Sequence, residues 1–262
     1  MKRAAVRPTV VKSLTASVNA NSIDFSLLSV YYSLVKSIFI VPSCIYFDPS
    51  ISLDYSPVRS VYSHGQRFDQ TLSTLNSIRK FSPTSDILLC ELSEIPDQQR
   101  NVLRERSDYF LYRNKNNAHY FNTSRDHVNK SHGVSFAILK SLFFLKNIQF
   151  PSYEVYFQLS GRYRLNSNFK MEDHIHHSFN AKAHDVFESG VFTTLFSFNS
   201  SFFSLFFDSM LVTHSYTTNN YPPYAGFSLE TNLLPGSPEK INFLDSLGVE
   251  GNYGPDGEIH SE

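Results

Sequence analysis

An alternation of strand-like and helix-like segments between residues 57 and 160 is the feature that most constrains the fold. Short apolar, β-branched or aromatic runs predict four strands, at 57–63, 86–92, 108–113 and 153–160. Helical spacing of apolar residues, or a proline at the first position, predicts three helices, at 67–80, 96–106 and 133–147. Strands that alternate with helices form a parallel sheet, because a hairpin cannot join parallel strands. We therefore predict an α/β fold with a Rossmann-like, mostly parallel central sheet flanked by helices.

The segments on either side of this alternation are less regular. Residues 1–40 begin basic and have no clean period, and we expect helix there only from Phe25 onward. Beyond residue 165, the sequence predicts a strand at 184–198 and an apolar helix at 201–214. The glycine- and proline-rich residues 235–262 predict a loop.

Charge and composition exclude several classes of protein. The chain has 262 residues, 23 of them Lys or Arg and 24 Asp or Glu, for a formal net charge of −1. This balance gives no electrostatic reason to expect a nucleic acid or an anionic membrane as partner. Aromatic residues reach 15%, with 24 phenylalanines, so the chain can bury a large apolar core and is not globally disordered.

Cysteines and apolar runs indicate the compartment. Cys44 and Cys90 are too few for a disulfide scaffold. Residues 27–47 are the longest apolar stretch, but Lys36, Pro42 and four serines interrupt them, so we expect no membrane span. The stretch also starts too late for a secretory signal, and no small-residue cleavage site follows it. We predict a cytoplasmic protein.

Polar and basic residues gather where the predicted strands end. Arg67 follows the first strand, Glu91 ends the second, and Lys130 precedes the third helix. The fourth strand runs into Ser160, Gly161, Arg162, Tyr163 and Arg164. Ligands of open parallel sheets bind beyond the carboxyl ends of the strands, so these residues should meet in one crevice. A basic crevice beside helix N-termini suits a phosphate or diphosphate group.

Four segments in this order resemble a known family. They are VRSVYSHGQRFDQTLSTLNSI (58–78), SDILLCELSE (85–94), NKSHGVSFAILKSL (129–142) and YEVYFQLSGRY (153–163). Their order and spacing over residues 57–165 resemble the nucleotide-binding half of the inverting GT-A glycosyltransferases, which use nucleotide-diphospho-sugars. The resemblance implies transfer of a sugar from such a donor to a glycan or polysaccharide-precursor acceptor. We therefore divide the chain into an uncertain N-terminal leader at 1–50, a nucleotide-binding α/β half at 51–165 and, in the same domain, an acceptor-side and C-terminal region at 166–262.

The chain departs from that family at its metal-binding motif. Where the family has Asp-x-Asp, this chain has Ser160-Gly161-Arg162, which offers no carboxylate to a divalent cation. One interpretation is that Arg162, with Arg164 and Lys130, neutralises the diphosphate directly, so that the reaction needs neither metal nor cofactor. The alternative is a non-catalytic relative that binds carbohydrate or protein. The nucleotide- and diphosphate-binding residues that we predict are Arg67, Glu91, Lys130, Ser160, Gly161, Arg162 and Tyr163. The resemblance implies that Glu91, an acidic residue at the end of the second strand, contacts the nucleoside.

Inverting transfer needs a general base for the acceptor hydroxyl. By its position relative to the family's base, the resemblance implies Glu230, in the segment 224–234; Asp208 and Glu188 compete for the role. A sugar-stacking ring is expected from Tyr163, Tyr221 or Tyr224.

Two other hypotheses rest on weaker patterns. His174 and His177, beside Asp173, have the spacing of helix-borne metal ligands, but we expect a solvated loop at 171–179. His214 is expected to be a charge at a helix C-terminus. A methyltransferase-like enzyme is disfavoured, because SHGQRF (63–68) has a single glycine where such a fold has a glycine-rich loop.

Overall fold

The computed structural model describes residues 35–53, 56–113, 116–148, 152–183, 191–218, 241–252 and 259–261. The helices are α1 (His64–Phe81), α2 (Asp97–Glu105), α3 (Ala118–Arg125), α4 (Lys130–Asn147) and α5 (Phe203–Thr218). Short 3₁₀ helices span Met171–His174 and Ser200–Phe202. The strands are β1 (Ser37–Ser43), β2 (Asp86–Glu91), β3 (Tyr109–Tyr112), β4 (Val155–Leu159), β5 (Tyr163–Leu165), β6 (Phe179–Ala181), β7 (Leu195–Asn199), β8 (Ile241–Phe243), β9 (Val249–Asn252) and β10 (Ile259–Ser261).

The central sheet has the order β3-β2-β1-β4-β7-β6-β8. Strand β1 pairs in parallel with β2 and β4, and β2 pairs in parallel with β3. Strand β7 runs antiparallel to its neighbours β4 and β6, whereas β6 and β8 are parallel. The predicted α/β class with a mostly parallel sheet is confirmed. The strand order reverses between β1 and β4, which is where ligands of such sheets bind.

The first strand is not where the sequence predicted it. Residues 57–63 form irregular loop, so the strand predicted there is wrong. Strand β1 instead lies at Ser37–Ser43, inside the segment predicted to be an uncertain leader, and all seven of its residues are buried. A strand buried on both faces is continuously apolar, so it lacks the alternation that marks an exposed strand. Among the described helices, none is both long and apolar enough to cross a membrane.

Most other predicted elements of the alternation are confirmed. The three predicted helices correspond to α1, α2 and α4, and the predicted second, third and fourth strands to β2, β3 and β4. The predicted apolar helix at 201–214 corresponds to α5. Of the strand predicted at 184–198, the structure shows only β7, which begins at Leu195; residues 184–190 lie outside the described chain. The loop predicted at 235–262 contains β8, β9 and β10, so that prediction is wrong.

Aromatic side chains fill the core on both faces of the sheet. Phe39 of β1 and Phe157 of β4 stack at 4.4 Å between ring centroids on the face that α1 covers. On the other face, Phe198 and Phe206 stack at 4.2 Å, where β7 meets α5. The abundance of phenylalanine is therefore a packing feature, because each ring buries a large apolar area.

Two of the histidines expected to be solvated or charged, His174 and His214, pack against other side chains. His174 is 1% exposed, with its ring against Phe157 and Phe169, and its Nδ1 lies 3.0 Å from Ser197 Oγ. The expectation of a solvated loop is thus wrong at His174. His214 lies within α5 and stacks on His132 at 4.4 Å, and burial lowers the pKa of both imidazoles. His214 is therefore a neutral packing residue, not a helix-end charge.

Acid should destabilise the fold through His174. Burial lowers the pKa of His174 to about 3, against an ordinary value of 6.5. Between these values the unfolded chain binds more protons, so the free energy of unfolding falls as pH falls from about 6.5 toward 3. We expect His174→Asn to flatten this dependence in part, since the low pKa of His132 adds to it. Urea unfolding at pH 7.5, 5.5 and 4.5 measures the slope.

The control for this prediction is His177→Asn, because His177 lies three residues away with an exposed side chain. The pH dependence of the unfolding free energy of His177→Asn should match that of the unsubstituted protein. An unchanged slope in His174→Asn would show that His174 is not a source of the acid sensitivity.

Candidate functional site

An open cleft of about 670 Å³ lies at the carboxyl ends of β1 and β4, where the strand order reverses. Its apolar wall comes from Pro42, Phe47, Leu92 and Val134. Its polar and charged wall comes from Ser43, Arg59, Ser60, Arg67, Ser124, Arg125, Lys130, Ser160 and Arg162.

Five of the predicted binding residues meet in this cleft. They are Arg67, Lys130, Ser160, Gly161 and Arg162. The structure places the others elsewhere. Tyr163 is 3% exposed and lines a neighbouring groove, where the exposed Arg164 pairs with Glu250. Asp208 is exposed on α5. The remaining candidates, Glu188, Tyr221, Tyr224 and Glu230, lie outside the described residues.

Arg67 enters the cleft from the first turn of α1. Ser63 caps this helix in a capping box with Gln66, and so fixes where its first turn begins. The Arg67 guanidinium donates to Gln70 Oε1 at 3.1 Å and to the Cys44 carbonyl at 3.3 Å, while its Nε is buried without a partner. Burial, and then the charge of Arg162, lowers the pKa of Arg67 to about 10. Arg67 therefore remains charged at neutral pH, and its Nε–H has no hydrogen-bond partner within the described chain.

Lys130 is the first residue of α4. The side chain of Asn129 caps this helix by accepting a hydrogen bond from the Ser131 backbone N–H at 2.9 Å. The Lys130 ammonium donates weakly to the Arg59 carbonyl, at 3.4 Å. Burial, followed by the charges of Arg162 and Arg67, holds the pKa of Lys130 well below its usual value. A ligand that brought negative charge would favour the protonated form.

Arg162 reaches the cleft from the turn between β4 and β5. This turn is tied to the sheet, since Gly161 N–H donates to the Pro42 carbonyl at 3.1 Å and Ser160 N–H to the Thr194 carbonyl at 2.9 Å. Within the described residues, no carboxylate forms an ion pair with Arg67, Lys130 or Arg162. The cleft therefore concentrates positive charge that a bound anion would neutralise.

The residues at the Asp-x-Asp position do not fit a divalent cation. Ser160 offers one neutral hydroxyl, Gly161 offers no side chain, and Arg162 brings a repelling positive charge. Across the ranges that the structure describes, no group of three or more His, Cys, Asp or Glu residues could hold a metal ion.

Glu91 lies beneath the cleft and not in its wall. Its carboxylate is fully buried, and Oε1 accepts hydrogen bonds from Ile45 N–H at 3.1 Å, from Ser93 N–H at 2.8 Å and from the Ser93 hydroxyl. Burial raises the pKa of Glu91. These contacts hold the loop after β1, whose Cys44 carbonyl accepts from Arg67. The predicted nucleoside contact stays a prediction, and the contacts seen at Glu91 are structural.

The binding residues predicted from the sequence leave out two arginines of the cleft. Arg59 is 6% exposed and donates to the carbonyls of His127 and Arg125. Arg125 ends α3 and pairs with Asp126. Arg59 stood in the segment predicted as a strand and so could not be placed at the cleft, whereas Arg125 stands in the polar run before the predicted helix at 133–147, which was expected near the crevice. The number of arginines near the ends of the predicted strands was the signal that could have indicated both residues.

Gly161→Ala should lower both the stability of the protein and the affinity of the cleft for anions. A Cβ at Gly161 would lie 3.0 Å from the Pro42 carbonyl oxygen and 3.4 Å from Ser43 Cβ, both on the central strand. We expect a loss of about 1–3 kcal/mol in unfolding free energy, as in other overpacked sites, and weaker anion binding because Arg162 is adjacent. Thermal unfolding measures the first effect and phosphate titration the second.

Gly65→Ala is the matched control for this prediction. A Cβ there would meet only Ser63 Oγ, at 3.9 Å, and Gly65 lies in α1, where alanine is the better helix former. Equal stability in the Gly161 and Gly65 variants would contradict the prediction.

Comparisons with known proteins concern the fold alone. No protein-family model and no curated protein matches the sequence. One similar solved structure is a glycosyltransferase involved in the glycosylation of the major capsid of PBCV-1, at 12% identity and a TM-score of 0.45, covering 80% of this chain and 81% of that chain. Another, from Desulfovibrio desulfuricans G20, bears the name nucleotide-diphospho-sugar transferase, at 10% identity, a TM-score of 0.41 and 80% coverage of each chain. At these values the similarity says nothing about activity.

Proposed function

We propose that this protein binds a nucleotide-diphospho-sugar in the cationic cleft and transfers the sugar to a glycan-type acceptor without a divalent cation. The observation that carries the proposal is the meeting of Arg67, Lys130 and Arg162 at the switch point of the sheet, without a carboxylate partner in the described chain. A diphosphate is a compact anion that three such donors could bind through charge-assisted hydrogen bonds.

The same cations would assist the chemical step. When the bond from the anomeric carbon to the diphosphate oxygen breaks, negative charge grows on the departing phosphate. Arg162 and Lys130 would stabilise that charge from fixed positions, the task that a metal performs elsewhere. The acceptor hydroxyl would lose its proton to a general base, for which Glu230 remains our candidate.

Calorimetric titration with UDP, GDP, ADP and dTDP tests the proposal. We expect at least one nucleotide to bind with a dissociation constant of roughly 1 µM to 1 mM, the usual range for enzyme substrates. Because guanidinium and ammonium groups replace the metal, the affinity should be the same in EDTA and in MnCl₂. Absence of binding under both conditions would overturn the proposal, and binding only with Mn²⁺ would overturn its metal-independent part.

The second candidate is a relative that binds such a ligand without turnover. The replacement of Asp-x-Asp by Ser160-Gly161-Arg162 favours it, because loss of a catalytic motif can leave a binding site behind. Hydrolysis of the donor separates the two candidates. Release of free sugar from the donor that binds, lost in Glu230→Gln, supports transfer, whereas binding with no release or transfer supports the second candidate.

A further inference from the structure

A polar groove beside the cleft runs along α1. It consists of two adjoining cavities, of about 930 and 1030 Å³, which share Ser73, Arg164 and Glu250 in their walls. Arg162 belongs both to the first cavity and to the cationic cleft, so the groove begins where the cleft ends. We call these two cavities together the α1 groove.

The α1 groove is lined mainly by polar and charged side chains, with apolar side chains from Phe81, Leu165 and Ile259 among them. Helix α1 contributes residues three or four positions apart, which therefore share one face: Gln66, Asp69, Gln70, Ser73, Asn76 and Lys80. Residues 166–168, Asn-Ser-Asn, line the far end. Arg164 and Glu250 pair at 2.6 Å, so their charges cancel within the groove. Such walls offer many neutral donors and acceptors and little net charge.

The strand beside the groove is closed to an added peptide strand. On its free side β5 is covered by α1, since Thr74 Oγ1 donates to the Tyr163 carbonyl at 2.6 Å and Ser77 Oγ accepts from Leu165 N–H at 2.9 Å. These hydroxyls take the backbone groups that an extended peptide would need. A ligand in the groove therefore contacts side chains and not the free side of β5.

We propose that the α1 groove binds a neutral oligosaccharide, the acceptor chain of the transfer reaction; this rests on the proposed function. From Gln66 to Lys80 the helix spans about 21 Å at 1.5 Å per residue, long enough for several sugar units. Amide and carboxylate side chains such as Asn76 and Asp69 pair with sugar hydroxyls. A chain seated there reaches Arg162, the end of the cleft where the donor's diphosphate would lie.

The test is an array of neutral oligosaccharides, acidic oligosaccharides and unstructured peptides, probed with the full chain alone and with UDP or GDP. We expect retention on neutral oligosaccharides. Ser73→Trp fills the junction of the two cavities and Asn76→Trp, at an exposed position, fills the second, so each should weaken retention about tenfold or more. Ser204→Trp, on the exposed face of α5, is the matched control and should retain as the unsubstituted protein does.

Nucleotide calorimetry on the same variants separates this inference from the proposed function. Ser73 does not line the cleft, so Ser73→Trp should bind nucleotide with unchanged affinity. Retention that both tryptophan variants weaken supports oligosaccharide binding in the α1 groove. If no nucleotide binds in that case, only the proposed transfer reaction is overturned. Retention on peptides only, no retention on any neutral oligosaccharide, or retention insensitive to both tryptophans would overturn the inference.

Discussion

Arg162→Ala should weaken nucleoside diphosphate binding about 10- to 150-fold, since a hydrogen bond to a charged group contributes about 1.5–3 kcal/mol. Arg162 is half-buried at the turn between β4 and β5, and its charge is felt by both Arg67 and Lys130. Its removal also makes the protonated form of Lys130 easier to hold, because less repulsion acts on the ammonium. The measured loss of affinity is therefore smaller than the contribution of the contact between Arg162 and the diphosphate. Calorimetric titration of the nucleotide that binds gives the change.

Arg106→Ala is the control for charge alone. Arg106 is an exposed arginine at the end of α2, and it lies outside the walls of the cleft. Its removal changes the net charge equally, so affinity should stay within about twofold, as expected for a screened surface charge. If the two variants bind nucleotide equally well, Arg162 is not part of the binding site.

Glu91→Ala should destabilise the protein by about 2–4 kcal/mol, because it leaves buried donors without an acceptor. Three donors point at Oε1, from Ile45 and from the backbone and hydroxyl of Ser93. The loop after β1 loses its anchor, and Arg67 loses a fixed carbonyl at Cys44, so nucleotide binding should weaken as well. Chemical denaturation measures the stability, and calorimetry measures the affinity.

Glu91→Gln separates this positioning role from a charge role. The amide keeps an oxygen for the three donors, and burial already raises the pKa of the carboxyl. We expect the glutamine variant to retain most of the stability and to bind nucleotide nearly as well as the unsubstituted protein. If glutamine weakened binding as much as alanine, the charge of Glu91 would act on the ligand, as its predicted nucleoside role requires.

The sequence predicted those elements whose periodicity is local. Helices α1 and α4 have apolar positions at helical spacing, and β2 is a short apolar run between turn signals. The convergence of Arg67, Lys130 and Arg162 was predictable because parallel strands bring their carboxyl ends to one edge. For Arg67 the inference rested on a strand at 57–63 that does not form, but the residue lines the cleft because α1 begins beside it.

What could not be predicted depends on contacts between distant residues. Strand β1 lacks an alternating pattern, and its central position follows from pairing with β2 and β4. Strands such as β5 and β8 have three residues each, too few for a period, and exist because they pair with β9 and β6. Glu91 ends a strand, and the sequence does not say whether such a side chain faces the ligand or the backbone below it.

The crowding of cations at the switch point has a consequence for folding itself. Arg67 is buried and Lys130 is half-buried beside Arg162, so the chain folds against electrostatic repulsion in a poorly hydrated place. A polyvalent anion bound in the proposed site would remove that repulsion, and if it bound the native state only, its occupancy and unfolding would be thermodynamically linked. Phosphate or sulfate in the medium would then stabilise the folded protein, and its stability would depend on the anions in solution as well as on its sequence.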